Sequence, residues 1–244
     1  MKRIIKITNL EYIYPDGTKA LKGINLEIFK GECIGLIGPN GAGKSTLLLH
    51  LNGILKATRG EVEVLGMKVE EENLVKIRQK VAIVFQEPDD QLFMPTVFDD
   101  VAFGPSNLGY SKKEIKEKVR KSLEQVAMEG YEERCSHHLS LGEKKKISIA
   151  TVLSMDPEIL ILDEPTISLD PRGRRELIQL LKNLNITKVI AGHDLEMILE
   201  ICSRVVLLYK GKIVTNGNPK KVLSDKLLME SHGLEVPLSL QQKI

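Results

Sequence analysis

Apolar and polar residues alternate with a period of two near the start of the chain, over residues 4–14 and again over residues 21–29. The segment between them contains Pro15-Asp16-Gly17, a typical turn sequence. A period of two is that of a strand with one buried face. The pattern therefore predicts two antiparallel strands joined by a turn.

Short apolar runs and helical patterns then alternate along most of the chain. The runs predict strands at residues 33–37, 61–65, 81–85, 159–162, 188–191 and 205–209. Helical spacing predicts helices at residues 46–51, 74–79, 172–184 and 194–201. This alternation indicates an α/β fold with a mostly parallel central sheet covered by helices.

Residues 97–108 and 112–128 interrupt the alternation. Both are helical in pattern, with turn signals at Gly104-Pro105 and Gly109, and no strand pattern lies between them. We therefore expect one domain over residues 1–244, with a helical insertion at about residues 88–153. The last stretch, about residues 225–244, is weakly patterned, and we expect a tail that docks on the domain or on a partner.

Composition narrows the class of protein only slightly. The chain has 244 residues, of which 42% are hydrophobic and 28% charged, enough to bury one large core. A net charge of +2 argues against a nucleic-acid partner. The lysines at positions 144 to 146 are interpreted as a solvated helix face. The three cysteines, Cys33, Cys135 and Cys202, lack metal-site spacing, which predicts reduced thiols in the cytosol.

The apolar runs are also short. None approaches the roughly 20 residues of a membrane helix, so we expect that the chain is not itself an integral membrane protein.

One segment matches the phosphate-binding pattern G-x-x-x-x-G-K-[ST] and lies between a predicted strand and a predicted helix. Its glycines let successive N–H groups and the positive helix end converge on an anion, while the lysine adds a cation and the serine a hydroxyl for Mg²⁺. A glycine-rich turn without a ligand is the alternative, and the flanking elements argue against it. We expect a nucleoside triphosphate on Gly38, Pro39, Asn40, Gly41, Ala42, Gly43, Lys44, Ser45 and Thr46.

A second candidate site follows the apolar run at residues 159–162, where Asp163 and Glu164 stand next to each other. A buried parallel strand delivers such acids to the ligand crevice of an open sheet. We expect Asp163 to reach Mg²⁺ through water, and Glu164 to orient or deprotonate an attacking water.

The order of these motifs closely resembles the nucleotide-binding subunit of an ABC transporter over nearly the whole chain. The resemblance implies the ABC ATPase form of the P-loop NTPase fold, with an N-terminal antiparallel β-subdomain. It implies that Tyr14 stacks on adenine, and that Gln86 binds Mg²⁺ and links it to the transporter interface. It also implies that His193 contacts the γ-phosphate and acts in catalysis with Glu164 and Gln86, with Ser45 as a direct metal ligand.

The resemblance further implies a dimer with a second ATPase subunit, identical or different. ATP is then held between the phosphate loop of one subunit and the signature of the other, here Ser140 and Gly142, with Ser168-Leu169-Asp170 crossing the interface. ATP would close this dimer and hydrolysis reopen it. Such subunits sit peripherally on the cytoplasmic face of the cell membrane.

The signature segment departs from the common Leu-Ser-Gly-Gly-Gln, because Leu141 and Glu143 replace a glycine and the glutamine. Glu143 suits the first turn of a helix, since the helix dipole favours an anion there. Leu141 carries a Cβ near the phosphate position. Ile167 and Ser168 also stand where small residues such as Ser-Gly or Ala-Gly are common. We therefore hypothesise that the site built on this chain's phosphate loop hydrolyses ATP, while the site receiving its signature is slower if the partner is a different subunit.

Residues 85–105 and 231–237 indicate the subtype by resemblance to energy-coupling-factor importers of vitamins or transition metals, and to the cobalt and nickel branch in particular. By that analogy, integral membrane subunits dock near residues 86–104. There an acidic face could pair with basic residues of the partner. Its members are Asp89, Asp90, Asp99 and Asp100.

Three alternatives stay open. The chain could be an ABC-type ATPase that acts on a nucleic-acid or ribosomal complex. It could be a soluble phosphoryl-transfer kinase, although such a kinase does not explain the signature and His193 together. It could also be a non-hydrolysing subunit of a heterodimer, against which Glu164 and His193 argue.

Overall fold

The computed structural model describes residues 2–241. Its strands are β1 (Arg3–Ile13), β2 (Lys19–Phe29), β3 (Cys33–Ile37), β4 (Arg59–Val64), β5 (Met67–Lys68), β6 (Val81–Val84), β7 (Ile159–Asp163), β8 (Thr187–Ala191), β9 (Arg204–Tyr209) and β10 (Lys212–Gly217). Its α-helices are α1 (Lys44–Leu51), α2 (Leu74–Lys80), α3 (Val97–Asn107), α4 (Lys112–Gln125), α5 (Leu141–Leu153), α6 (Pro171–Asn183), α7 (Leu195–Ile201), α8 (Pro219–Leu223) and α9 (Lys226–Ser231).

The strands form an antiparallel sheet and a mixed sheet. The first has the order β2-β1-β4-β5, and β1 pairs antiparallel with β2, as the alternating pattern predicts. The second has the order β10-β9-β3-β8-β7-β6. Its strands β9, β3, β8, β7 and β6 are parallel, and β10 is an antiparallel edge strand. The α/β fold with a mostly parallel central sheet and an N-terminal antiparallel sheet is therefore confirmed.

The central sheet is buried on both faces, which explains why its strands are continuous apolar runs rather than alternating ones. Along β7, Ile159 and Ile161 enter the core beneath the antiparallel sheet, while Leu160 and Leu162 enter the core beneath the helices. The same division occurs along β3. Two hydrophobic layers thus hold the parallel strands in register and fix where their carboxyl ends lie.

Helices α3, α4 and α5 occupy the segment in which the sequence predicts a helical insertion. Each helix contributes a fully buried residue to the core beneath the helices, namely Val101, Leu123 and Ile147. The turn expected at Gly104-Pro105 is wrong, because α3 continues through both residues. Gly104 serves close packing instead, since a Cβ there would lie 2.7 Å from Sδ of Met155. The boundaries of a helical subdomain remain a prediction.

The chain after β9 contains more regular structure than its pattern suggests. Strand β10 and helices α8 and α9 have no counterpart among the predicted elements. Met229 and Leu234 are buried in the core beneath the helices. Ser239 donates hydrogen bonds to the carboxylate of Glu196 on α7. The expected tail thus packs on α7 as far as residue 241, and its last three residues lie outside the described part. No helix within residues 2–241 has both the length and the apolar character of a membrane span.

Candidate functional site

The carboxyl ends of the parallel strands meet at one edge of the central sheet, where open α/β sheets bind ligands. The loop after β3, the acids at the end of β7 and the turn after β8 lie on neighbouring strands, and the segment after β6 follows. Together they line a cleft of about 340 Å³. Its lining residues are Asn40, Gly41, Ala42, Gly43, Lys44, Ser45, Thr46, Gln86, Glu164, Ile167 and His193.

The loop from β3 to α1 depends on glycine at defined positions. Gly38 and Gly43 have φ angles of 149° and 104°, a region in which side chains are strained. A Cβ on Gly38 would overlap the carbonyl oxygen of Leu208, and a Cβ on Gly43 would lie 2.9 Å from that of Ala20. Gly41, with a φ of 74°, faces open space. The loop is therefore packed tightly on its inner side and open toward the cleft, a shape that fits a phosphate chain.

Lys44 is a cation held at the floor of this cleft. Only 7% of the residue is exposed to solvent. Its Nζ donates to the carbonyl oxygens of Gly38 at 2.7 Å and Pro39 at 3.3 Å. Burial lowers the pKa of Lys44, while Glu164 and Asp163 act in the opposite direction. An ammonium that bonds to neutral carbonyls in a partly buried site is ready to bind an anion more strongly.

Asp163 lies beside Ser45 at the base of the cleft. Burial raises the pKa of Asp163, and the Ser45 hydroxyl and the Lys44 charge oppose this rise. Its Oδ1 is buried and lacks a hydrogen-bond partner among the described residues. A water molecule bound to a divalent cation would satisfy this oxygen, and a hydroxyl, a carboxylate and the Gln86 amide are the hard oxygen donors that Mg²⁺ prefers. These residues therefore fit the predicted metal.

Glu164 and His193 lie across the cleft from the loop. Nε2 of His193 is 2.9 Å from Oδ1 of Asn40, 3.1 Å from Nζ of Lys44 and 3.5 Å from Oε1 of Glu164. One ring nitrogen cannot serve all three, since it either donates or accepts. The main-chain N–H of His193 donates to Oε2 of Glu164 at 3.1 Å and so fixes the carboxylate. A γ-phosphate or water would enter this group of competing polar atoms.

Glu164 also has an unusual backbone, with a φ of 46°. The left-handed region is unfavourable for a residue with a Cβ by roughly 1–2 kcal/mol. The N–H of Glu164 donates to the carbonyl of Ala191 at 2.9 Å, which helps to hold the conformation. The strain places the carboxylate in the cleft directly after Asp163, whose side chain lies deeper.

Tyr14 and Gln86 occupy the borders of the cleft. The Tyr14 hydroxyl is 2.9 Å from Oγ1 of Thr46, and its ring packs edge-on against Tyr12. Tyr14 thus stands beside the phosphate loop. Gln86 is exposed and lines the cleft, and its carbonyl accepts a hydrogen bond from Lys145.

The predicted site residues divide between two surfaces. Ser140 and Gly142 do not line the cleft around the phosphate loop. They lie with residues 168–170 on a different surface, a shallow depression of about 600 Å³ at the start of α5. Leu141 is half-buried in this surface. One chain therefore presents a phosphate-loop surface and a signature surface that do not meet.

Glu143 has a structural role that the helix dipole alone does not describe. Its carboxylate accepts from the N–H and the hydroxyl of Ser140, and its own N–H donates to the Ser140 hydroxyl. This is a capping box, which the pattern S-x-x-E predicts. The hydrogen bonds from Ser140, with one from Tyr131, lower the pKa of Glu143. The substitution of the usual glutamine thus stabilises the first turn of α5.

The acidic face expected from Asp89, Asp90, Asp99 and Asp100 is wrong for Asp100, while Asp89 and Asp90 are exposed. Asp100 is only 3% exposed and accepts from the N–H groups of Phe93 and Met94 and from Ser136. Asp89 pairs with Lys144 at 2.7 Å. The Asp99 carboxylate accepts a hydrogen bond from the Thr96 hydroxyl, which caps α3 by accepting from the N–H of Asp99. Asp99 and Asp100 stabilise the loop, because local backbone and side-chain donors satisfy their carboxylates.

An apolar groove of about 730 Å³ also lies beside this segment. Phe85, Phe93 and Phe103 line it and are each at least one-third exposed, and the rings of Phe93 and Phe103 pack edge to face at 5.1 Å. Val75 and Met155 extend the apolar wall, and Asp90 and Arg78 are among its polar residues. Exposed aromatic patches of this kind mark protein interaction sites.

Asp194 and Arg174 are residues near the site that the sequence patterns did not single out. Asp194 follows His193, caps α7 through the N–H of Met197, and accepts two hydrogen bonds of 2.6 Å from Arg174 and one from Thr166. Burial opposes ionisation of Asp194, but the hydrogen bonds from Arg174, Met197 and Thr166 outweigh it, and the pKa lies below its usual value. The ion pair between Arg174 and Asp194 therefore fixes the main chain directly after His193.

We expect Asp194→Asn to lower the free energy of unfolding at pH 7 by about 2 kcal/mol, because the Arg174 charge loses its partner. A lowered folded-state pKa means that the stabilisation is present above the ordinary aspartate value of about 3.9 and is lost as the pH falls below it. Urea unfolding should therefore show the difference from wild type shrinking below about pH 4. Glu200→Gln, on the same helix with an exposed partner in Lys182, should change stability little. An equal loss in both variants would contradict the assignment.

Comparison with known proteins places most of the chain in one family. Residues 21–167 match the ABC transporter family. The chain is 52% identical over 239 residues to the energy-coupling factor transporter ATP-binding protein EcfA of Methanothermobacter thermautotrophicus, covering 96% of this chain and 77% of that protein.

Two solved structures extend the comparison. The structure of cbiO1 from Clostridium perfringens, part of the ABC transporter complex cbiONQ, superposes with a TM-score of 0.85 at 40% identity, covering 95% of this chain and 94% of that one. A dimeric post-hydrolysis state of the ATP-binding cassette MJ0796 bound to ADP and Pi superposes with a TM-score of 0.79 at 29% identity, covering 88% and 99%.

Proposed function

This chain belongs to the ABC transporter family, and from that premise we propose that it is the ATP-binding and ATP-hydrolysing subunit of an energy-coupling-factor membrane importer. Membership of this family argues against the soluble kinase considered above. No observation favours the nucleic-acid or ribosomal alternative.

The division of the site residues between two surfaces is the observation that carries this proposal. A phosphate-loop cleft and a signature surface on one chain complete each other only when a second subunit faces the first. A symmetric pair would create two such sites, each with donors from both subunits. The dimeric cassette with ADP and Pi supports this arrangement by its similarity.

In this proposal the phosphate loop and Lys44 hold the β- and γ-phosphates, and Ser140 with the N-terminus of α5 completes the shell from the partner. Tyr14 stacks on the adenine at the border of the cleft. Ser45 and Gln86 would hold Mg²⁺ directly, and Asp163 would hold it through water. Bound Mg²⁺ would neutralise charge on the phosphate oxygens.

The remaining residues act on water and on the γ-phosphate. Glu164, fixed by the N–H of His193, orients the attacking water and accepts its proton. His193 is released from Asn40 and Lys44 when a γ-phosphate competes for the same nitrogen. ATP binding thus favours the closed dimer, and hydrolysis removes that preference. The closed state depends on ATP because the γ-phosphate is the group that both subunits touch.

We propose that the apolar groove receives a helix of an integral membrane subunit. Its overlap with residues 86–104 and its exposed phenylalanines support this, and the cbiONQ complex containing cbiO1 provides an analogy. The partner's helix would present apolar side chains to Phe93 and Phe103 and a basic residue to Asp90. The chain would then be peripheral on the cytoplasmic face of the membrane. Its cargo, a transition-metal ion such as cobalt or nickel or a vitamin, would be selected by the membrane subunit.

Replacing both Phe93 and Phe103 by serine tests the importer part of the proposal. We expect the double variant to lose stable association with a co-expressed membrane transport subunit and transport to fall at least about tenfold, because the groove loses its aromatic contacts. Co-purification in detergent and uptake into vesicles measure the two effects. Ile54→Ser removes an apolar residue of similar exposure elsewhere on the surface and should change neither. Equal association of both variants would exclude the groove as the docking site.

A further inference from the structure

Lys145 is a buried cation that the proposed chemistry does not use. It is 5% exposed, although the run of three lysines suggests a solvated face. Lys144 and Lys146 differ from it, because their ammonium groups reach outward to Asp89 and Glu176. The expectation of a solvated helix face is therefore wrong for Lys145, which points between α5 and the central sheet.

The ammonium of Lys145 joins two segments of the nucleotide cleft. Nζ donates to the main-chain carbonyl of Gln86 at 3.3 Å and to that of Glu164 at 3.3 Å. Gln86 follows β6 and is a proposed metal ligand, whereas Glu164 follows β7 and is the proposed base. The bond to Glu164 holds a residue whose backbone is strained, with a φ of 46°. One cation thus fixes the distance between the two segments.

Stability alone is a poor explanation for this lysine. Burying an ammonium costs several kcal/mol, and two carbonyl groups offset this less well than a carboxylate does. Burial lowers the pKa of Lys145, and the nearby carboxylates of Glu87 and Glu164 act in the opposite direction. An apolar side chain of similar length would fill the same space without this cost.

The position of Lys145 within α5 connects it to the other surface of the chain. Ser140 caps α5, and Lys145 lies five residues further along, about 7.5 Å at the helical rise of 1.5 Å per residue. The capping box makes the first turn rigid. In the proposed dimer, the start of α5 touches ATP held by the partner, while Lys145 touches the cleft of its own chain.

We propose that Lys145 is a positioning residue that couples the two ATP sites of the dimer, by tying the signature helix to the main chain of Gln86 and Glu164. The inference rests on the proposed function. Contact between Ser140 and the partner's nucleotide sets the position of α5, and Lys145 passes that position to Gln86 and Glu164. Hydrolysis in one cleft then depends on whether the other cleft is closed.

Lys145→Met tests the coupling in the full-length chain. We expect kcat to fall about tenfold, while the affinity of the isolated chain for a fluorescent ATP analogue changes less than about twofold. The Hill coefficient for ATP should fall toward one. Lys145→Arg should restore part of kcat, because guanidinium groups also donate to carbonyls. The thermal unfolding midpoint of Lys145→Met should equal or exceed that of wild type.

Lys188→Met is the matched control. Lys188 is 6% exposed, its ammonium also donates to a main-chain carbonyl, that of Leu184, and burial also lowers its pKa. It lies at the opposite end of the central sheet from the cleft. We expect unchanged kcat and Hill coefficient in this variant.

A double-mutant cycle makes the test specific. The effects of Ser140→Ala and Lys145→Met on kcat should depart from the product of the single effects by about threefold or more. The same pair should be additive in thermal unfolding, and Ser140→Ala with Lys188→Met should be additive in both. Wild-type kcat and Hill coefficient in Lys145→Met, or additive effects on kcat in the first cycle, would overturn the inference and leave the proposed function standing. A wild-type chain that does not bind Mg-ATP would overturn both.

Discussion

A chain with Glu164→Gln should bind ATP and dimerise in its presence, yet hydrolyse it at least about a hundredfold more slowly than wild type. The amide keeps the shape of the side chain and can still meet the N–H of His193 through its oxygen. It cannot accept a proton from water. Size-exclusion light scattering with and without Mg-ATP measures dimerisation, and phosphate release measures turnover.

Glu158→Gln is a suitable control for this variant. Glu158 precedes the opposite end of β7 and pairs with Lys80 in an exposed position. Its substitution should leave turnover and dimerisation at wild-type levels. Wild-type turnover in Glu164→Gln would exclude Glu164 as the base. A Glu164→Gln chain that binds ATP but stays monomeric would show that the partner is a different subunit.

Lys44→Met should lower the affinity for ATP about a hundredfold and remove hydrolysis at physiological ATP concentrations, because the phosphates lose a partly buried cation. The fold should persist, since the lost hydrogen bonds are confined to two carbonyls of one loop. Equilibrium binding of a fluorescent ATP analogue and circular dichroism measure the two effects.

The buried Lys188 again supplies the control, because Lys188→Met removes an equally buried ammonium away from the cleft. That variant should bind ATP as wild type does. Wild-type ATP affinity in Lys44→Met would place the nucleotide elsewhere on the chain. Loss of affinity in both variants would indicate a general effect of removing a buried charge.

The main elements of the fold are readable in the sequence because the central strands are buried on both faces and leave continuous apolar runs. The sequence does not predict strand β10, because this strand lacks a continuous apolar run. It is an edge strand, its residues are half-buried or exposed, and it contains Thr215 and Asn216. The short helices α8 and α9 are too brief for a period of 3.6 to emerge, and their positions depend on packing against distant parts of the chain.

The residues that line the cleft were predictable to a similar extent. A contiguous motif such as the phosphate loop can be recognised from the local sequence. Whether a charged side chain is buried depends instead on which distant residues pack against it. Lys145 lies three and four residues before Ser148 and Ile149, which are both buried on the same face of the helix. This spacing predicts that Lys145 is buried, although it stands in a run of charged residues. Asp100 is buried for a reason that no local pattern shows, since its partner Ser136 is far along the chain.

The separation of the phosphate-loop cleft from the signature surface has a consequence for how activity depends on the amount of protein. If neither surface can work without another subunit, turnover in dilute solution follows the square of the subunit concentration. A membrane partner that holds two subunits side by side replaces this encounter by one within a single assembly, at an effective concentration of about a millimolar. Assembly would then restrict ATP consumption to subunits that are bound to a membrane partner.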